Sequence, residues 1–193
     1  MAHTFASRRA LFAFTLVFAL PATVARAQNG PIVLVPHRAI YDLALAQARE
    51  NAQVASVRGR ILYDFDGNAC EGYTLSFRQV SELDTGEGKI STSDLRSTTW
   101  EGADAKSFKF TSQNFVDYNL IDTVDGHAEH GTSATAVDLA KPEHKTLDLD
   151  AAVVFPTQHM LRAIEAARAG KTVLDSPSMT APIPATRSTT RLP

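Results

Sequence analysis

The chain has 193 residues, a formal net charge of −2 at pH 7 and a single cysteine, Cys70. This length fits one folded domain with a sizeable hydrophobic core. The weak negative charge argues against a nucleic-acid-binding protein, because such domains carry a strongly basic surface.

The first 27 residues have the pattern of a secretory signal peptide. Two arginines precede an apolar run over residues 10–20, and Ala25-Arg26-Ala27 ends the segment as an A-x-A cleavage site. The run is shorter than the roughly 20 residues that a membrane-spanning helix needs. We therefore predict cleavage between Ala27 and Gln28, export by the general secretory route, and a periplasmic protein that does not span the membrane after cleavage. An N-terminal membrane anchor is the alternative interpretation.

Residues 37–150 alternate apolar and polar side chains with a period of two, which is typical of β-strands with one buried face. Turn signals recur about every 12–15 residues, which favours short antiparallel strands in one winding sheet or open barrel. Asp66-Gly67 and Asp125-Gly126 are predicted to be hairpin turns. The predicted strands cover residues 37–46, 56–67, 71–83, 89–102, 106–115, 117–126, 127–139 and 145–150.

One segment, FPTQHMLRAIEAARAGK (155–171), changes to helical spacing. Thr157 is its predicted N-cap, and Gly170 its predicted stop. We expect this amphipathic helix to lie on the apolar face of the sheet, and we expect Trp100 to cover the core. The apolar stripe of the helix consists of Met160, Leu161, Ile164 and Ala167.

Residues 178–193 have neither a strand nor a helix period, unlike the body of the chain. A disordered tail rich in proline and threonine is one interpretation. The other is a frameshift: one set of codons for this segment, read after a single added base, encodes VYDGSDTGDKVYDTTA, a strand–turn–strand pattern. We interpret residues 178–193 as a frameshifted, non-native tail, so that residues 28–177 form an incomplete domain. Cys70 is then either half of a disulfide whose second cysteine lies in the missing part, or a small buried thiol.

Two patterns that resemble metal sites are better explained as ordinary strand and turn residues. His127 and His130 are three positions apart, which would bring them together on a helix but puts them on opposite faces of the predicted strand. Residues 64–68 and 122–126 resemble calcium-binding loops, but neither has the glutamate that such a loop needs at position 12. We expect hairpin turns there, and no metal ion or cofactor.

The sequence contains no recognisable catalytic group. Cys70 has two candidate bases, His37 and His159, but an exported thiol is more often oxidised than kept reactive. Asp66 and Glu71 lie near a turn, and nothing in the sequence pairs them as acid and base. A G-x-S-x-G nucleophile motif is absent. We therefore predict that the protein is not an enzyme.

Three motifs carry a resemblance to a known family. They are LVPHRAIYDLALA (34–46), GRILYDFDGNACEGYTLSFR (59–78) and FPTQHMLRAIEAARAGKTV (155–173). In order and spacing they resemble the EipB-like family of periplasmic cell-envelope-integrity proteins, formerly a domain of unknown function, over Val35–Pro177. The resemblance implies a mostly β fold: a curved, spiral-like antiparallel sheet, open and barrel-like, with a C-terminal amphipathic helix. It also implies a disulfide between Cys70 and a cysteine near the C-terminus, and support of the envelope without enzymatic activity.

Two functions are compatible with these features. The first is a non-enzymatic periplasmic protein that supports the cell envelope by binding another envelope protein through its curved sheet or an unpaired edge. A protein of the tetratricopeptide-repeat type is one candidate partner. The second is a periplasmic carrier of lipid or lipoprotein, suggested by the aromatic-rich strand Phe108–Phe115.

Overall fold

Eight antiparallel strands form one curved, open sheet in the computed structural model, which describes residues 30–48, 54–86, 88–179 and the backbone of 186–191. Each strand pairs with the next along the chain, so β1 and β8 are the two edges of the sheet. This arrangement confirms the predicted mostly β fold. The strands are β1 His37–Ala44, β2 Ser56–Asn68, β3 Gly72–Asp84, β4 Ile90–Glu101, β5 Ser107–Val116, β6 Asn119–His130, β7 Ala134–Lys141 and β8 Lys145–Asp150.

A helix and a second, two-stranded sheet follow β8. The helix is α1 (Pro156–Arg168), and the small sheet pairs β9 (Val173–Ser178) with β10 (Thr186–Arg191). The sequence predicted the helix but neither of these strands. Met179, directly after β9, is fully buried, and its N–H donates to the carbonyl oxygen of Val154. The first residues of the segment interpreted as non-native therefore pack with the core.

The hydrophobic core lies between the β5–β8 half of the sheet and the segment that enters α1. Alternation along β5 directs Phe108 and Phe110 to the same face, where they are 1% and 2% exposed. Phe155, just before α1, is fully buried, and its ring lies 5.2 Å from that of Phe108. Two of the three phenylalanines in the segment that suggested a lipid carrier, Phe108 and Phe110, are therefore packed core residues. The cluster also contains Val124, Ala128, Val137, Val153 and Met179.

Both predicted Asp-Gly hairpin turns are wrong, because these pairs lie inside continuous strands. β2 runs past Gly67 to Asn68, and the chain reverses over residues 69–71. β6 runs past Gly126, where its pairing with β7 shifts register as in a β-bulge. Glycine suits a bulge as well as a turn: Gly67 has φ +114°, and a Cβ on Gly126 would come within 2.6 Å of the carbonyl oxygen of Asp138.

The helix begins two residues before the position that the sequence predicts. Phe155 is at the N-cap, without a capping hydrogen bond from its side chain, and Pro156 is the first helical residue. Proline suits that position because its missing N–H would be unpaired there in any case. Thr157 therefore lies in the first turn and is not the N-cap. At the other end, Gly170 follows the C-cap Ala169 with φ +73°, as expected of a helix stop.

The predicted signal peptide, with its cleavage site at Ala27 and Gln28, lies outside the described residues. Among the residues that the structure does describe, no helix combines the length and apolar character needed to cross a bilayer.

Candidate functional site

Cys70 lies exposed in the turn between β2 and β3. The side-chain oxygen of Asn68 accepts hydrogen bonds from the N–H groups of Cys70 and Glu71, at 2.8 and 3.0 Å. Glu71 accepts a bond from the Asn68 amide, and Asp66 accepts one from the N–H of Gly67. Asp66 therefore bonds the local backbone, and Glu71 bonds a neighbouring side chain in the same turn. The exposed thiol contradicts the buried-thiol alternative, whereas the disulfide stays a prediction.

The two candidate bases for Cys70 lie on different elements. The His37 ring, on β1, stacks on Tyr63 at 5.5 Å, and its Nδ1 lies 2.8 Å from the carbonyl oxygen of Val35. His37 is therefore part of an aromatic row on the sheet. His159 lies in the first half of α1.

His127 and His130 do not form a metal site. His127 is on the solvated side of β6, with its Nε2 3.6 Å from the Asp138 carboxylate. The His130 ring packs on Phe155 at 4.2 Å, and its Nδ1 lies 2.7 Å from the Thr135 hydroxyl. Burial lowers the pKa of His130, which favours the neutral form of the ring. In the described part of the chain, no group of three or more His, Cys, Asp or Glu residues could hold a metal ion.

Trp100 does not cover the core. Alternation along β4 puts Glu101 on the apolar face and Trp100 on the opposite face, where its cross-strand neighbour is Lys109. The Lys109 ammonium lies 5.5 Å from the centre of the indole ring. The prediction was wrong because a tryptophan also suits a solvated face when a cation covers it.

Exposed apolar side chains gather at the β1 edge of the sheet. Val33 and Val35 lead into the strand and are 69% and 67% exposed, and Ile40 and Tyr41 within it are 61% and 54% exposed. Leu62, opposite Ile40 on β2, is 37% exposed. Exposed apolar residues that cluster, rather than occur singly, are typical of a binding surface. We call these five residues the β1 edge surface.

The backbone of β1 also offers hydrogen-bonding groups to a partner. The Leu45 N–H donates to the carbonyl oxygen of Val57, its cross-strand neighbour. Because antiparallel positions alternate between bonded and non-bonded pairs, Arg38, Ile40 and Asp42 direct their N–H and C=O groups away from β2. Within the described residues, β1 has no strand on that side. An extended segment of another chain can pair there as an added strand.

Ion pairs fix the register of this edge strand against β2. The guanidinium of Arg38 bonds the carboxylate of Asp64, and Arg60 bonds Asp42 at 2.8 Å. Solvent screens such exposed pairs, so their effect on total stability is small. They do, however, join β1 to β2 at two separate positions, so the edge is presented by a strand of defined register.

Glu101 connects the sheet to the helix. This residue, at the end of β4, is 4% exposed, and its carboxylate accepts hydrogen bonds from the N–H groups of Thr157 at 2.6 Å and Gln158 at 2.9 Å. These N–H groups have no partner inside the helix, because they belong to its first turn. A carboxylate on a strand thus caps α1, a role for which the local sequence gave no signal. Burial raises the pKa of Glu101, although both N–H bonds favour its charged form.

Comparison with known proteins agrees with this fold. A family model described as EipB-like matches residues 28–180. The cell envelope integrity protein EipB of Brucella abortus (strain 2308) is 46% identical over 138 residues, which are 72% of this chain and 49% of the relative. A crystal structure from Brucella abortus, described as a beta-barrel-like protein of a domain of unknown function, matches with a TM-score of 0.74 and 43% identity, over 78% of this chain and 62% of that one. The chain spans about half the length of the curated relative that it matches.

Proposed function

The chain belongs to the EipB-like family, and from this premise we propose that it is a non-enzymatic periplasmic protein that supports the cell envelope by binding another envelope protein. The name of the Brucella relative supports the envelope role, and the predicted signal peptide supports the location. A protein of the tetratricopeptide-repeat type is one candidate partner.

The β1 edge surface is the observation that carries the proposal. It joins exposed apolar side chains to outward-facing backbone groups on one strand, and strand addition uses both. The main chain of the partner bonds the backbone of β1, while its side chains cover Ile40 and Tyr41. Complete burial of a large apolar side chain contributes about 1.5–3 kcal/mol, so these two residues supply a part of the binding free energy and the backbone bonds of β1 set the register of the partner. The lipid-carrier alternative has less support, because Phe108 and Phe110 of the segment that suggested it are packed in the core.

A charge placed on the β1 edge surface tests this proposal. Ile40→Lys leaves the core intact, since Ile40 is 61% exposed, but it puts a charge where the partner would bury an apolar group. In cells that lack the gene, we expect this variant to restore less detergent resistance than the wild type, and to capture less of the envelope protein that the wild type cross-links.

The matched control is Ile121→Lys, because Ile121 is 58% exposed but lies on β6, away from the edge. It should behave as the wild type. Equal capture and equal detergent resistance for both variants would contradict strand addition at β1. Failure of the wild type to capture any envelope protein would contradict the binding role itself.

A further inference from the structure

The face of the sheet opposite the core, which we call the charged face, carries five arginines that differ in their pairing. Three of them have a carboxylate each: Arg38 with Asp64, Arg58 with Glu82 and Arg60 with Asp42. Arg78 and Arg96 instead share one carboxylate, that of Asp94. This part of the charged face therefore has an arginine in excess.

The two arginines are held together against their own repulsion. Arg78 on β3 lies directly opposite Arg96 on β4, an arrangement that is destabilising for like charges. Asp94 accepts bonds from Arg78 at 2.9 and 2.8 Å and from Arg96 at 3.1 and 2.7 Å. The Arg96 guanidinium also lies 4.6 Å from the centre of the Phe115 ring. Asp94 takes up only part of the N–H donors of each guanidinium, so donors remain for a ligand.

A cavity of about 210 Å³ opens beside the two arginines. Three small residues with hydroxyl groups line it, and the strand register puts them in one row across β3, β4 and β5. They are Ser76, Thr98 and Thr111. Because these side chains are short and their neighbours are long, the row leaves space above the sheet. The cavity thus combines two guanidinium groups that share one carboxylate with small hydroxyl side chains, and Gln113 also lines it.

We propose that this cavity, which we call the arginine-pair site, binds a phosphate group. Guanidinium groups donate parallel N–H bonds to phosphate oxygens, and the tetrahedral anion has a further oxygen for the hydroxyl group of Thr98. The Thr111 hydroxyl already donates to the carboxylate of Asp125 at 3.4 Å, so it is not needed as a donor to the anion. The anion supplies the second negative charge that Arg78 and Arg96 lack, and it removes the cost of holding them opposite each other.

A second depression on the same face is a natural contrast. It is lined by Arg58, Arg60, Glu82 and Asp42, so that each arginine there has its own carboxylate. No positive charge is left over, and we expect no phosphate binding at that position. The difference between the two depressions follows from the pairing of charges and not from the number of arginines.

The experiment measures binding of inorganic phosphate and glycerol phosphate to the purified chain by calorimetry at constant ionic strength. We expect saturable binding that Arg96→Gln weakens roughly tenfold or more, since the lost bonds are charge-assisted. Thr98→Val, which keeps the shape and every charge, should weaken binding a few-fold and carries the test if Arg96→Gln does not fold. The matched control, Arg58→Gln, should bind as the wild type does.

A second arm identifies the source of the phosphate group. The chain is mixed with phosphatidylcholine vesicles, with and without phosphatidylglycerol, and sedimented. Co-sedimentation that requires phosphatidylglycerol and is lost in Arg96→Gln assigns a lipid headgroup, while binding of the soluble phosphates alone assigns a small phosphate ester. No saturable binding in either arm would overturn the proposal. So would an equal loss in Arg96→Gln and Arg58→Gln, because that result would indicate unspecific attraction of anions.

Discussion

Replacement of Glu101 tests how the sheet holds the helix. Its carboxylate is 4% exposed and is the acceptor for the N–H groups of Thr157 and Gln158, at 2.6 and 2.9 Å. Glu101→Ala leaves both donors without this acceptor where water has little access. An unsatisfied buried donor costs about 1–3 kcal/mol, and loss of a helix cap costs about 1 kcal/mol. Because the two costs describe the same groups, they are not added, and we expect the free energy of unfolding to fall by about 1–3 kcal/mol.

The charge of Glu101 should make this contribution depend on pH. Burial is the main cause that raises the pKa of Glu101 above its ordinary 4.5. A carboxyl with a higher pKa in the folded protein contributes stability that is complete below its unfolded pKa and is lost as the pH rises through its folded pKa. Glu101→Gln keeps one oxygen acceptor but cannot titrate. The wild type should therefore gain stability relative to Glu101→Gln as the pH falls from 7 towards 4.5.

Urea unfolding at pH 7 and at pH 4.5, followed by circular dichroism, measures both effects. Glu129→Ala is the control, because Glu129 is exposed on β6 and its loss should change stability by no more than about 0.5 kcal/mol. Equal unfolding midpoints for Glu101→Ala and Glu129→Ala would refute the capping role. If the wild type instead loses stability relative to Glu101→Gln as the pH falls, the reasoning about burial is refuted.

Two further variants test other contacts. Asp94→Asn leaves Arg78 and Arg96 opposite each other without a carboxylate, and it should lower the free energy of unfolding by about 1 kcal/mol, more at low salt. The two arginines lower the pKa of Asp94 from 3.8 to about 2, so this contribution is present above pH 3.8 and is lost as the pH falls towards 2. The free energies of unfolding of the wild type and the variant should therefore become equal as the pH falls towards 2. A difference that stays constant with pH would contradict the pairing. Cys70→Ser should change the free energy of unfolding by no more than about 0.5 kcal/mol. In the folded wild type, the exposed Cys70 thiol should react at once with a thiol reagent. Reaction only after unfolding would contradict its exposed position.

Alternation with a period of two predicted eight strands for the large sheet, because most of these strands have one dry and one solvated side. Phe108 and Phe110 share the buried face for this reason. The pattern put the boundary between β6 and β7 at residue 126, inside β6, and it did not predict β9 or β10. Alternation could not distinguish a turn from a bulge at Gly67 and Gly126, because glycine permits both and the choice depends on where the neighbouring strand pairs. The hydrophobic character of Trp100 also led to a wrong prediction of its face, since the buried position next to it is occupied by Glu101.

The side chains that make the sites have partners far along the chain, and local patterns carry no information about such partners. Glu101 is an isolated carboxylate in the sequence and becomes a cap only because α1 begins beside it. Arg78 and Arg96 meet because the turn between β3 and β4 sets their register. A slip of one residue turns every side chain of a strand to the other face. Such a slip of β4 would separate the arginine pair and also move Glu101 away from the helix. The helix cap and the proposed phosphate site therefore depend on the same feature, the pairing of β3 with β4.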